Sequence, residues 1–207
     1  MSQQKYLYVV FSATDYRLGR CIRFITGEPY NHVSIATEQD LSDLCAFARR
    51  YYHTPLYGGF VTEQPCRYHH KGRTARIALY RLPVTQQQYE LLQQRLAKMN
   101  ARADRYLYNH LSALAAPFHR KITIRDAYTC AEFTVSILQQ LGFGFSTRKF
   151  YTIGDIRQKL APYHIYAGEF PLPNQQGSRF FDTSAVPHPV LASTRDILRL
   201  LWRMARA

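Results

Sequence analysis

No stretch of this chain approaches the roughly 18 consecutive apolar residues that a membrane-spanning helix requires, so none is predicted. Met1 to Val10 lack the basic start, long apolar run and small-residue cleavage site of a secretory signal, and the expected location is cytoplasmic. Cysteine is sparse: four residues, at 21, 45, 66 and 130, with no CxxC spacing. That argues against both a zinc ribbon and a disulfide framework. Cys21 and Cys45 stand in apolar runs and read as core thiols, while Cys66 falls in a polar segment, Cys66 to Gly72, that reads as exposed. Nothing near His69-His70 completes a ligand set, so that pair reads as a solvated loop, and neither metal nor cofactor is expected. Acidic residues are also few, 14 against 27 Lys and Arg, for a net charge of +13. The basic residues are scattered, a balance that suits acidic partners such as nucleic acid, anionic lipid or an acidic peptide. No RNA-binding or zinc-finger signature is present, and the 16 Tyr and 12 Phe fall mostly inside apolar segments. No specific nucleic-acid role is therefore expected.

What remains is an ordinary globular composition. At 207 residues, 46% hydrophobic and 20% charged, the chain can bury one sizeable core and carry an appendage. Residues 1–170 are expected to form the domain, and 171–207 a Pro- and Gly-containing linker followed by a basic amphipathic helix. Alternation and β-branched or aromatic residues predict strands over Lys5–Ser12, His32–Ala36, Leu44–Ala48, Ala75–Leu82 and Tyr163–Phe170. Arg49 to Glu63, with Pro55, Gly58 and Gly59, reads as a surface loop running into Phe60-Val61. Helical periodicity predicts helices over Arg17–Thr26, Thr85–Asn100, Tyr106–Phe118, from Cys130 to a stop at Gly142, over Thr152–Leu160 and over Ser193–Arg206. In the last of these, Ile197, Leu198, Leu201, Trp202 and Ala205 form one face and Arg195, Arg199, Arg203 and Arg206 another. Such a helix docks on its own domain through the apolar face or lies on an anionic membrane, a peripheral contact.

The stretch that carries chemistry is Tyr128-Thr129-Cys130-Ala131-Glu132-Phe133. Thr129-x-x-Glu132 is a capping box, which puts Cys130 on the first helical residue, among free amides and at the positive end of the helix dipole. That environment favours thiolate and can hold an oxyanion. His32 opens the strand that follows the turn at Gly27, Pro29 and Asn31.

An Asn31-His32-Val33-Ser34-Ile35 strand ahead of a Tyr-Thr-Cys-Ala-Glu-Phe helix start resembles the circularly permuted branch of the NlpC-type papain-like superfamily. That branch includes YiiX-like bacterial proteins and, more distantly, lecithin:retinol acyltransferase-like enzymes, and in it the His precedes the Cys. The likeness covers about residues 5 to 170. It is strongest at Arg23 to Ala36, Gly58-Gly59-Phe60-Val61, Tyr106 to Asn109 and Cys130 to Leu141, with Ile153 to Ile156 and Ile165 to Gly168 in support. It implies an α+β, permuted papain-like fold in which an antiparallel sheet packs against the helix carrying the nucleophile. By the same resemblance, Cys130 attacks an acyl carbon to form a thioester, and His32 serves as base and then acid. The oxyanion rests on the Cys130 amide and a neighbouring hydroxyl, from Tyr128, Tyr6 or Tyr8. A third, polar residue fixes the imidazole. The strand after His32 has none in its middle, so the candidate is Asp43 at its start, with Glu63 and Asn109 more distant ones.

The expectation is thus a cysteine hydrolase cleaving a peptide-like amide or acyl small molecule, with a preference for acidic substrates. Two rivals stand beside it. A thiol acyltransferase or lipid esterase would use the same Cys and His, and a non-catalytic module holding an acidic ligand would follow if the thin third position marks lost activity.

Overall fold

The computed structural model describes residues 4–14, 19–20, 23–24, 27–51, 54, 56–63, 65–70, 73–171 and 188–206. The expected helix over Arg17–Thr26 falls largely outside the described residues, as do Cys21 and most of the linker, 172–187. The chain forms a mixed α+β structure around one six-stranded antiparallel sheet. Its strands are β1 (Lys5–Ala13), β2 (His32–Ala36), β3 (Cys45–Arg49), β4 (Gly58–Thr62), β7 (Arg76–Val84) and β10 (His164–Glu169), in the order β10-β7-β1-β2-β3-β4. Two short ribbons lie outside it: β5 (His69–His70) with β6 (Arg73–Thr74), and β8 (Leu107–Tyr108) parallel to β9 (Ala127–Tyr128).

The period of two along β1 divides the protein. Leu7, Val9 and Phe11 point to the larger core, which Val33, Ile35, Phe47 and Phe60 continue across the sheet. This face is covered by α1 (Gln86–Asn100) and α3 (Cys130–Gln140), and α4 (Ile153–Lys159) adds Ile156 to the same core. Tyr8 and Val10 point the other way, to a smaller core closed by Tyr68 and Phe170, whose rings stack 4.3 Å apart. All three of these helices open on a capping box, Thr85 with Gln88, Thr129 with Glu132 and Thr152 with Asp155. Each box satisfies two amides that a helix start otherwise leaves bare. Gly142, at φ +80°, ends α3 where a side chain would be strained.

Four expectations need correction. The loop read before Phe60 already contains β4, an edge strand beginning at Gly58. Cys66 to Gly72 is not a wholly exposed loop, because a 3-10 turn over Pro65–Tyr68 buries Tyr68 and Arg67. Tyr106 to Phe118 is not one helix. Leu107-Tyr108 pairs with Ala127-Tyr128, and α2 (His110–Ala115) starts only at Asn109, whose side chain accepts the amide of Ser112. Tertiary pairing and a strong cap override helical periodicity there. The last helix, α5 (Pro189–Met204), starts a turn earlier than Ser193, because proline is favoured in a first turn that needs no amide donor.

Candidate active site

β2 and β3 pair only at Ile35 and Cys45 among the described residues, so the two strands part toward His32. α3 packs across both strands, and the Cys130 side chain at its start is near enough to the His32 ring to favour its charged form. Cys130 is buried, on the first helical residue as its capping box requires. The box engages the amides of Thr129 and Glu132. The amides of Cys130 and Ala131 belong to the same first turn, which has no intrahelical acceptors.

The imidazole also meets a carboxylate. Nε2 of His32 lies 3.1 Å and 3.2 Å from the two oxygens of Glu63. Glu63 follows β4, where its amide bonds Leu44 O. It is 1% exposed, a burial that only dense pairing makes tolerable. Ser34 donates to Oε2 at 2.5 Å, the Tyr68 hydroxyl donates to it at 2.6 Å, and Arg67 Nε stands 3.3 Å from Oε1. Ser34 is two residues from His32 on the same strand face, so one strand supplies both the imidazole and a donor that holds its partner.

The electrostatics follow from these neighbours. Burial raises the cost of the Glu63 charge, yet His32, Arg67 and the hydrogen bonds outweigh it and hold the carboxyl well below its ordinary range. Burial likewise opposes a charged His32, but Glu63 first, and Cys130 beside it, raise the ring to about 10. Tyr68 is driven well above its ordinary value by burial and by Glu63, and so stays a neutral donor. Cys45, the other buried thiol among the described residues, is pushed up to about 12, chiefly by burial and then by Asp43.

Of the expected site residues, the structure places Cys130 near His32 and bonds Glu63, not Asp43, to the His32 ring. The Asp43 carboxylate is occupied by the Thr37 amide and hydroxyl and the Glu38 amide, closing the turn between β2 and β3. Asn109 is likewise occupied, capping α2 and donating to Ile122 O. Nor do Tyr6 and Tyr8 reach Cys130. Ser12 is the β1 residue opposite His32, and Tyr8 sits four residues further, opposite Ala36, about 13 Å along the strand. Both tyrosines belong to the smaller core on the other face. Tyr128, partly buried, packs its ring on Phe47 at 5.2 Å, against the larger core.

Tyr108, a residue the sequence reading assigned to a helix, stands near enough to Cys130 and Glu132 to feel their charge. Burial, then the nearby Cys130 and Glu132, drive its phenol above the ordinary range and keep it protonated. Its approach depends on Gly58 and Gly59 of β4. A Cβ on Gly58 would sit 2.8 Å from the Tyr108 Cβ, and one on Gly59 would collide with the Tyr106 carbonyl oxygen. The Gly58-Gly59 pair was the available signal, since adjacent glycines in a strand mark close approach by another backbone.

Among the described residues, no three His, Cys, Asp or Glu side chains are placed to hold a metal ion. Comparison with protein-family models, with curated proteins and with solved structures finds no match.

Proposed function

We propose that this protein is a cysteine hydrolase of permuted papain-like type, cleaving a peptide-like amide through a Cys130 thioester. The observation that carries the reading is the His32 ring, near Cys130 and bonded to the buried Glu63 carboxylate. His32 and Arg67 supply two positive charges against the one of Glu63, a cluster that favours a negative group beside it. In the reaction the sulfur attacks the acyl carbon, and His32 protonates the departing amine. Charge on the former carbonyl oxygen is met by the first-turn amides of α3 and the Tyr108 hydroxyl. Water, deprotonated by the now neutral imidazole, then releases the acid and restores the thiol pair. Glu63 keeps the ring oriented throughout, with Ser34 and Tyr68 fixing its own position. The basic balance of the chain favours an acidic acyl donor.

The test is site-resolved iodoacetamide labelling of the native protein at pH 6, read by mass spectrometry. Cys130 is expected to label rapidly and Cys45 hardly at all, and His32→Ala to slow Cys130 by about tenfold or more. Asp43→Ala is expected to leave that rate unchanged. Labelling of Cys130 that is indifferent to His32 would remove the nucleophile and leave a binding module as the better reading.

A further inference from the structure

α5 is docked by its polar side. Arg199 donates to Asp104 O at 3.0 Å, Arg203 donates to Arg105 O at 3.0 Å and to Arg125 O at 3.2 Å, and Asp196 is buried in the same contact. Leu200 is the one large apolar side chain of α5 buried with them, against Leu107, Ile124 and Ala127. The opposite side faces solvent, and it is the apolar one: Val190 is 76% exposed, Leu191 65%, Leu198 61% and Trp202 56%. At 100° per residue, Leu191, Leu198 and Trp202 share a stripe and Val190 and Leu201 adjoin it. The expected docking by the apolar face is therefore inverted. A helix that turns its leucines and its tryptophan away from the protein has been left a second surface to bury.

The charge around that stripe says which surface. Arg195, 3.9 Å from the buried Asp196, flanks it with a 64% exposed side chain, and Arg206 lies over the Trp202 ring at 3.9 Å, while Asp196 is the one acidic residue of α5 and points inward. Leu114 and Phe118 are also exposed, on the helical segment whose Leu111 packs against the same small core as Leu200. Apolar side chains with Trp at their edge, ringed by arginine on a chain of net charge +13, match a bilayer interface bearing anionic headgroups. There leucines enter the acyl boundary and guanidinium groups stay with phosphate. We propose that the outward face of α5 binds the surface of an anionic lipid bilayer. Among the described residues no helix is long and apolar enough to cross one, so the contact is peripheral. Leu107 and Ala127, on which α5 rests, immediately precede Tyr108 and Tyr128 beside the Cys130 site. Lipid contact would thus lie one layer from the candidate active site, although the proposal does not depend on catalysis.

Trp202 is the single tryptophan of the chain and supplies the probe. The full chain is titrated with phosphatidylcholine vesicles and with vesicles containing 30% phosphatidylglycerol, following Trp emission and co-sedimentation. The expected result is a blue shift and pelleting with the anionic vesicles alone. Leu198→Glu should abolish the shift, Arg195→Glu should weaken binding about fivefold, and Leu91→Glu on α1 should change nothing, with circular dichroism reporting that each variant is folded. No shift with anionic vesicles overturns the proposal, as does pelleting that survives Leu198→Glu. A shift that grows with protein concentration without vesicles, and is lost in Leu198→Glu, also overturns it by making the face a contact between copies of the chain.

Discussion

Glu63 and Asp196 are both almost fully buried carboxylates, and the protein treats them in opposite ways. Glu63 is met by Ser34, Tyr68, His32 and Arg67, all within 3.3 Å. Asp196, under α5, has Arg199 at 3.4 Å and Arg195 at 3.9 Å on Oδ1, and its Oδ2 has no hydrogen-bond partner among the described residues. Burial pushes both carboxyls upward. At Glu63 the donors win and the group is held low, whereas at Asp196 burial wins over Arg199, Arg50 and Arg195 and the group is raised. The number and geometry of donors, rather than burial itself, decide whether a buried charge specifies a structure or burdens it. The first arrangement suits a site that must hold one imidazole in one orientation. The second suits a helix attached to the domain by a modest margin.

The sharpest way to break this contrast is Glu63→Ala, which strips the partner from His32, Ser34, Tyr68 and Arg67 at once. A loss of about 3–5 kcal/mol in unfolding free energy is expected, read by urea or thermal denaturation. A loss near 1 kcal/mol would mean that the cluster relaxes onto water. The next effect is a pH dependence. His32 is raised from 6.5 to about 10 in the folded protein, so its stabilisation is fully present below pH 6.5 and is lost as pH climbs through about 10. Glu63 is lowered from 4.5, so its stabilisation is present above 4.5 and is lost as pH falls toward its folded value. Both contributions are therefore intact between pH 4.5 and 6.5. Above that window the urea midpoint should fall, by at most about 1.4 kcal/mol per pH unit. His32→Gln should flatten that slope; a slope unchanged in the variant assigns it to another group. The smallest effect belongs to Asp196→Asn, which removes a carboxylate that is poorly paired. A change of less than about 1 kcal/mol, in the stabilising direction, is expected at pH 7. A clear destabilisation would show that Arg199 and Asp196 act as a true pair and would narrow the contrast.

Local signals carried much of the fold. The capping boxes at Thr85, Thr129 and Thr152 are written in residues three apart, and the aromatic and β-branched residues of Lys5 to Ser12 anticipated β1 almost to its ends. The place of Cys130 at the start of α3 was legible for the same reason, since a helix start depends on neighbours in sequence. Glu63 was a distant candidate, because its bond to His32 depends on β4 pairing with β3 and on a 3-10 turn that brings Tyr68 and Arg67 beneath it. Tyr108 was hidden by apolar spacing that a helix would also produce, until its pairing with Tyr128 is seen. Asp43 attracted attention by standing at the head of the right strand, yet turn amides had already claimed its oxygens.

α5 shows where such reading stops. Its two faces were evident from the order of leucines and arginines, because amphipathicity is a property of spacing. Which face would dock was not, because backbone carbonyls of Asp104, Arg105 and Arg125 offer acceptors that no pattern of side chains announces. By itself, then, the sequence determined β1, β2, β3, β7 and β10, the caps and the helix that presents Cys130, all governed by contacts within a few residues. Only the tertiary structure decided that Glu63 meets His32, that Tyr108 pairs with Tyr128 and that α5 turns its apolar side outward. Each of these depends on groups far apart in the chain, whose meeting is set by sheet order and packing.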